Sequence, residues 1–186
     1  MPRVGIALGS NLGDRLANLQ AARIHLQQIA TPGTQVLHAS TYQTEPLLCP
    51  PSSPLFYNSV TEISYAGNAL DLLSLTQAIE KKLGRQSASE RNAPRMIDLD
   101  LLYFGDEILD FDTLILPHPR LAERRFVLQP LVEIRPSLIL PGHRQTISEL
   151  LTQISNEQPE LVVIPENSDH SNPKLGLGDG LPLKVQ

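Results

Sequence analysis

Apolar residues recur along this chain in two periods, and where one gives way to the other the elements can be marked out. Val4-Gly5-Ile6-Ala7-Leu8 is a short strand-like run, which Gly9-Ser10-Asn11-Leu12-Gly13-Asp14 breaks with turn chemistry and a helix cap. From Asp14 to Ala30, Leu16, Leu19, Ala22, Leu26 and Ile29 return every three or four residues, the period of an amphipathic helix, and Pro32-Gly33 ends it. Residues 35–43, with Val36, Thr41 and Tyr42, alternate as a strand. Phe56 to Tyr65 does so again after a loop stiffened by Pro46, Pro50, Pro51 and Pro54. Asn68 to Leu83 forms a second helix with Leu72, Leu75 or Thr76, Ile79 and Leu83 on one face, and Gly84 stands at its C-terminal cap. A polar loop, 85–94, leads into a strand over Arg95–Phe104.

The order strand, helix, strand, strand, helix, strand predicts an α+β, ferredoxin-like (β-α-β-β-α-β) antiparallel sheet with helices on one face. Added to it at the C-terminal side are a short strand, Leu114-Ile115-Leu116, a helical piece from Pro119 to Ile134 and a small helix over Ile147–Ile154. After Asn156 the composition turns to Asn, Ser, Gly, Pro and charge, so residues 1–156 are expected to form one domain and 157–186 a flexible tail.

With 186 residues the chain suits a single core, and with no Trp and eight Phe and Tyr that core must be aliphatic. The net charge of -5 argues against sequence-independent binding to nucleic acid or to an anionic membrane. Cys49 stands alone, which leaves no internal disulfide and suits a reducing compartment. No run approaches the ~20 apolar residues that span a bilayer, and Met1-Pro2-Arg3 shows no leader pattern. A soluble, cytoplasmic monomer acting on small molecules is the expectation, with a dimer left open.

The chemistry concentrates late in the chain. Asp98 and Asp100 are two apart in an apolar run, so strand geometry turns both carboxylates to one face. Such a pair can hold Mg²⁺, which needs few protein ligands and takes others from phosphates and water; a bare Asp-x-Asp can equally be the polar face of a half-exposed strand. Eight of the fifteen Lys and Arg residues fall between 81 and 125 in an otherwise acidic chain, and arginine forks match phosphate oxygens well. His118, between Pro117 and Pro119, is rigidly placed to donate a hydrogen bond to a phosphate or a reacting oxygen. Gly9 to Gly13 could present amides to an anion or simply turn the chain into the first helix.

Six segments carry a family resemblance. Leu8-Gly9-Ser10-Asn11-Leu12-Gly13, Tyr42-Gln43-Thr44-Glu45-Pro46-Leu47, Phe56-Tyr57-Asn58, Ile79-Glu80 with Gly84-Arg85, Pro94-Arg95-Met96-Ile97-Asp98-Leu99-Asp100, and Pro117-His118-Pro119-Arg120 with Glu123-Arg124-Arg125-Phe126 follow one another in order. Together they resemble the 6-hydroxymethyl-7,8-dihydropterin pyrophosphokinases of folate biosynthesis, over about residues 3–155. The resemblance implies transfer of the terminal diphosphate of ATP to the pterin hydroxymethyl group, with two Mg²⁺ ions on Asp98 and Asp100. It further implies Arg85, Arg95 and His118 at the transferred group, ATP contacts from Gln77, Arg91, Leu101 and Arg124, and a pterin site of Thr44, Leu47, Phe56, Asn58 and Phe126. Two rings and an amide suit a flat heteroaromatic with a polar edge. Glu80 would lie near the reaction centre.

The chain departs from that pattern at Asn92 and Ser87, where some members carry Trp and Arg, at Glu45, where the motif has proline, and at Pro119, where some carry an aromatic residue. Loops 44–55 and 84–94 are expected to act as lids against water. The same element order also builds RNA-recognition modules, but their aromatic sheet signature is absent from this sequence. It builds small regulatory ligand-binding domains as well, which would have no use for the Asp pair.

Overall fold

The computed structural model describes residues 1–45, 54–85, 94–154, 158 and 161–165. Strand β1 (Arg3–Ser10) leads to helix α1 (Arg15–Ile29), whose Asp14 cap accepts the Ala17 N–H at 3.0 Å. The strand expected over 35–43 is broken into β2 (Leu37–His38) and β3 (Thr41–Thr44), both paired with β4 (Phe56–Ser64). Helix α2 (Ala69–Lys82) starts at Asn68, which caps Asp71 N–H, and stops at Gly84 with φ +99°. Strand β5 covers Asp98–Phe104. It begins three residues later than its pattern suggested, because Arg95 backbone pairs with Asn11 instead of with a strand.

The sheet runs β5-β1-β4-β3, every neighbour antiparallel, which is the ferredoxin-like order. Val4, Ile6 and Leu8 of β1, with Ile63, Leu99, Leu101 and Phe104, pack against Leu19, Leu26 and Leu72 of α1 and α2. The two core helices share that face, as expected, and the added helices take the other. Helix α3 (Arg125–Ile134) and helix α4 (Ile147–Gln153) cover the other, where Val60, Leu102 and Tyr103 would otherwise face water. A bulge in the β1/β5 pairing, between Gly5 and Ile6, turns both Leu102 and Tyr103 to this second core. Strict alternation would have put Tyr103 with Leu99 and Leu101. The Tyr103 ring fills the space above Gly5, where a Cβ would meet it at 2.3 Å.

On this second face the buried Glu62 accepts from Arg135 (Nη2, 2.7 Å), from Arg3 (Nε, 2.7 Å) and from the Tyr103 hydroxyl. It joins β1, β4, β5 and the end of α3. Two elements were missed by the sequence pattern. Strand β6 (Leu109–Phe111) pairs with the expected β7 (Leu114–Leu116), and β8 (Val162–Ile164) adds to the outer edge of β3. Those three residues of β8 lie within 157–186, the stretch that composition assigned to a flexible tail; their run of Val-Val-Ile favours pairing.

Candidate active site

One end of the second face gathers most of the residues singled out by sequence. Across four strands the register aligns Tyr42, Asn58, Gly9 and Asp98. Gly9 therefore lies between Asn58 and Asp98, whose Cα atoms are two strand spacings apart, roughly 9–10 Å. A Cβ on Gly9 would stand 3.0 Å from Asn58 Oδ1, so the missing side chain keeps the floor between them open. Two residues along, Ala7 stands opposite Asp100 with only a methyl group. The amide of Asn58, almost fully buried, donates to Thr44 Oγ1 at 2.7 Å, which fixes its orientation.

Asp98 and Asp100 share one face of β5, as period-2 geometry requires. Asp98 accepts from Arg85 at 3.0 Å and from Arg95 at 2.9 Å, one guanidinium on each oxygen. The Arg124 guanidinium stands 3.9 Å from Asp100. Desolvation, then the Asp98 carboxylate beside it, raise the Asp100 carboxyl above its usual range. Arg124 can reach across because the expected helix from Pro119 is interrupted. A 3₁₀ turn, Leu121–Glu123, ends at Arg124, whose extended backbone (φ −114°, ψ 105°) separates it from α3.

Two residues hold these arginines. Asn11 accepts the Arg95 N–H at 2.8 Å on its side chain and donates its own N–H to the Arg95 carbonyl, so the Gly9–Gly13 turn clamps the start of β5. Glu80, buried on α2, accepts the Leu99 N–H at 2.7 Å and the Arg85 guanidinium. Burial pushes its carboxyl up to about 7, opposed by the Leu99 N–H and Arg85. Only the family resemblance pointed to Glu80; its place in the helical period looks like any polar residue beside Ile79.

His118 is tied to β5 by its N–H on the Leu102 carbonyl at 2.8 Å. Its Nδ1 accepts the Arg120 N–H at 3.1 Å, which leaves the proton on Nε2 as a donor. Burial, then Arg124 and Arg120, lower its pKa to about 4, so the ring is neutral at pH 7. Because the unfolded chain binds this proton near pH 6.5 and the folded chain does not, stability contributed here is lost as pH falls from about 6.5 through 4. His118→Gln should flatten that part of the profile. Urea midpoints of both proteins between pH 7.5 and 4.5 check this, and parallel profiles would contradict it.

Phe126, on the first turn of α3, is partly buried, with the Arg124 guanidinium 5.5 Å from its ring centre. Phe56 sits partly exposed at the start of β4, on the same face as Asn58. The ATP-side residues are more scattered. Gln77 is exposed on α2, and the Leu101 side chain is buried in the core on the opposite face from the Asp pair. Since the Leu99 N–H turns away from β1 to Glu80, the two-residue period gives Leu101 backbone the same outer edge of the sheet. Leu47 and Arg91, the departures at Ser87 and Asn92, and most of both expected lids lie outside the described residues.

A model of the family described as 7,8-dihydro-6-hydroxymethylpterin-pyrophosphokinase matches residues 5–136, which run from within β1 to just past the end of α3. The chain belongs to this family. It is 45% identical over 130 residues to the 2-amino-4-hydroxy-6-hydroxymethyldihydropteridine pyrophosphokinase of Bacillus subtilis, which covers 69% of this chain and 75% of that protein. It is 39% identical over 152 residues to the folic acid synthesis protein fol1 of Pneumocystis carinii, covering 81% of this chain. There it spans only 20% of the relative's length. A crystal structure of Plasmodium falciparum HPPK-DHPS superposes with a TM-score of 0.61 over 81% of this chain and 45% of that one, at 14% identity, a likeness of fold. No helix among the described residues is long and apolar enough to cross a membrane.

Proposed function

We propose that this chain transfers the terminal diphosphate of ATP to the hydroxymethyl group of 6-hydroxymethyl-7,8-dihydropterin, releasing AMP, with Mg²⁺ held by Asp98 and Asp100. The observation that carries the proposal is the juxtaposition across Gly9. On one side lie Asp98 and Asp100 among Arg85, Arg95, Arg124 and His118; on the other lie Asn58, Thr44 and Phe56. An anion-handling half and an aromatic, amide-bearing half meet on one floor.

The donor set fits magnesium. Two carboxylates on one strand face are too few for a closed protein cage, and among the described residues no group of three or more His, Cys, Asp and Glu could form one. Mg²⁺ bound through phosphates and water needs no more. Desolvation, then the neighbouring Asp98 carboxylate, raise the Asp100 carboxyl, and a bound cation would oppose both. When bound, two such ions would neutralise ATP phosphate charge and acidify the attacking hydroxyl.

The chain's own groups do the rest. Both oxygens of Asp98 are engaged by guanidiniums, so Arg85 and Arg95 would exchange that carboxylate for phosphate oxygens as ATP and metal enter. Glu80 keeps Arg85 in reach during the exchange. The neutral His118 donates from Nε2 to a phosphate oxygen, and Arg124 adds a fixed positive charge beside Asp100. The pterin would stack against Phe56 and Phe126, with Asn58 on its polar edge. Leu101 backbone on the open edge of β5, with Gln77, would meet the adenine, and Leu47 and Arg91 are proposed on the pterin and ATP sides.

Incubation with ATP, Mg²⁺ and the hydroxymethyl dihydropterin tests the reaction. AMP should accumulate in step with the pterin diphosphate, and accumulation of ADP would refute diphosphate transfer. For Asn58→Ala, removing a buried amide should weaken pterin binding roughly tenfold or more while ATP binding is kept. Calorimetric titration of each ligand decides it; an unchanged pterin dissociation constant would remove Asn58 from the site.

A further inference from the structure

We infer that Gln158, far outside the segment matched by the family model, is a positioning residue that caps α3 and thereby holds Arg124 and Phe126 at the active site. The N-terminal end of a helix leaves backbone N–H groups without partners inside the helix. In α3 the residue at the cap position is Arg124, whose side chain makes no capping hydrogen bond. It is turned toward Asp100 instead. The cap comes from elsewhere in the chain. Gln158 Oε1 accepts the Arg125 N–H at 3.1 Å, Gln158 Nε2 donates to the Glu123 carbonyl at 2.9 Å, and the Gln158 carbonyl accepts from the Arg125 guanidinium at 3.3 Å.

One amide thus bridges the two sides of the break at Arg124, bonding the 3₁₀ turn before it and the helix after it. That break sends Arg124 toward Asp100 and begins the turn on which Phe126 stands. The far end of α3 has its own anchors. Glu133 accepts the Ser40 N–H at 2.8 Å and the Tyr42 hydroxyl, and Arg135 pairs with Glu62. Gln158 does for the site end what these do for the other. Beyond it, Val162–Ile164 pairs with Thr41–Gln43 of β3, next to Thr44, so the same C-terminal stretch touches both the phosphate side and the pterin side.

The inference rests on the proposed reaction, and two substitutions separate them. Gln158→Leu keeps the bulk and removes both side-chain bonds; Gln158→Glu keeps an acceptor for the Arg125 N–H. The fraction of molecules with the turn in its binding geometry should fall in Gln158→Leu, raising KM for both ATP and the pterin roughly three- to tenfold with kcat within about twofold. Gln158→Glu should restore KM most of the way. Amide hydrogen exchange at residues 125–128 should quicken in Gln158→Leu and not in Gln158→Glu. Unchanged KM values in Gln158→Leu overturn the inference, as does unchanged exchange at those amides. Failure of the parent protein to form AMP would instead refute the proposed reaction, and the exchange comparison would still decide whether Gln158 holds the turn.

Discussion

Asp98→Ala and Asp100→Ala should each lower kcat/KM for AMP formation by about 10³-fold or more, equivalent to about 4 kcal/mol of lost transition-state stabilisation. Both carboxylates point into the same space, so neither can replace the other's geometry toward a shared ion. The fold should survive. Asp98 is only partly buried and Asp100 about half exposed, at 26% and 46% of side-chain surface. Removing Asp100 also removes a desolvated carboxyl that stands beside the Asp98 carboxylate. Thermal unfolding of Asp100→Ala should therefore match the parent or exceed it slightly. Titration of a nonhydrolysable ATP analogue with and without Mg²⁺ separates metal loss from other damage: the enhancement by Mg²⁺ should shrink in both variants. Near-parent turnover in either one would take the metal role away from the pair.

Glu62→Ala should cost about 1–3 kcal/mol of folding stability, the range for leaving a buried donor without its acceptor. That is a large share of the 5–15 kcal/mol typical of a domain. Arg3 and Arg135 can turn to water, but the Tyr103 hydroxyl is buried and loses its acceptor. Against the upward push of burial, bonds from Arg135, Tyr103 and Arg3 hold the Glu62 carboxyl below its usual range. Its contribution is therefore present above about pH 4.5 and lost as pH falls through the lower folded value. Urea unfolding at pH 7 measures the cost, and a change under about 1 kcal/mol would mean the network is not cooperative. In the cold, where the variant stays folded, AMP formation should persist, because Glu62 lies away from Asp98.

Much of this was readable in the chain because it is local. Asp14 caps α1 where its position before the apolar period said it would, and Gly84 stops α2. The Arg95-to-Asp100 block reads as a carboxylate pair with cations, and Arg95 does bond Asp98. Other features had no local signal. Nothing in the run Leu101-Leu102-Tyr103-Phe104 marks the bulge, since all four are apolar and any alternation among them is invisible. Arg124 falls inside a helical pattern, and its break depends on a glutamine more than thirty residues away. The polar composition after 156 concealed a three-residue strand whose partner is β3.

The sequence by itself determined the order of the core strands and helices, the caps at Asp14 and Gly84, and the facing of Asp98 and Asp100 to one side, because each follows from a period or a bond spanning a few residues. Tertiary structure decided which carboxylate meets which guanidinium, that Asn58 faces Asp98 across a bare Gly9, and that Gln158 caps α3. Those relations join residues distant in the chain through sheet register and packing, and neither quantity repeats along a sequence.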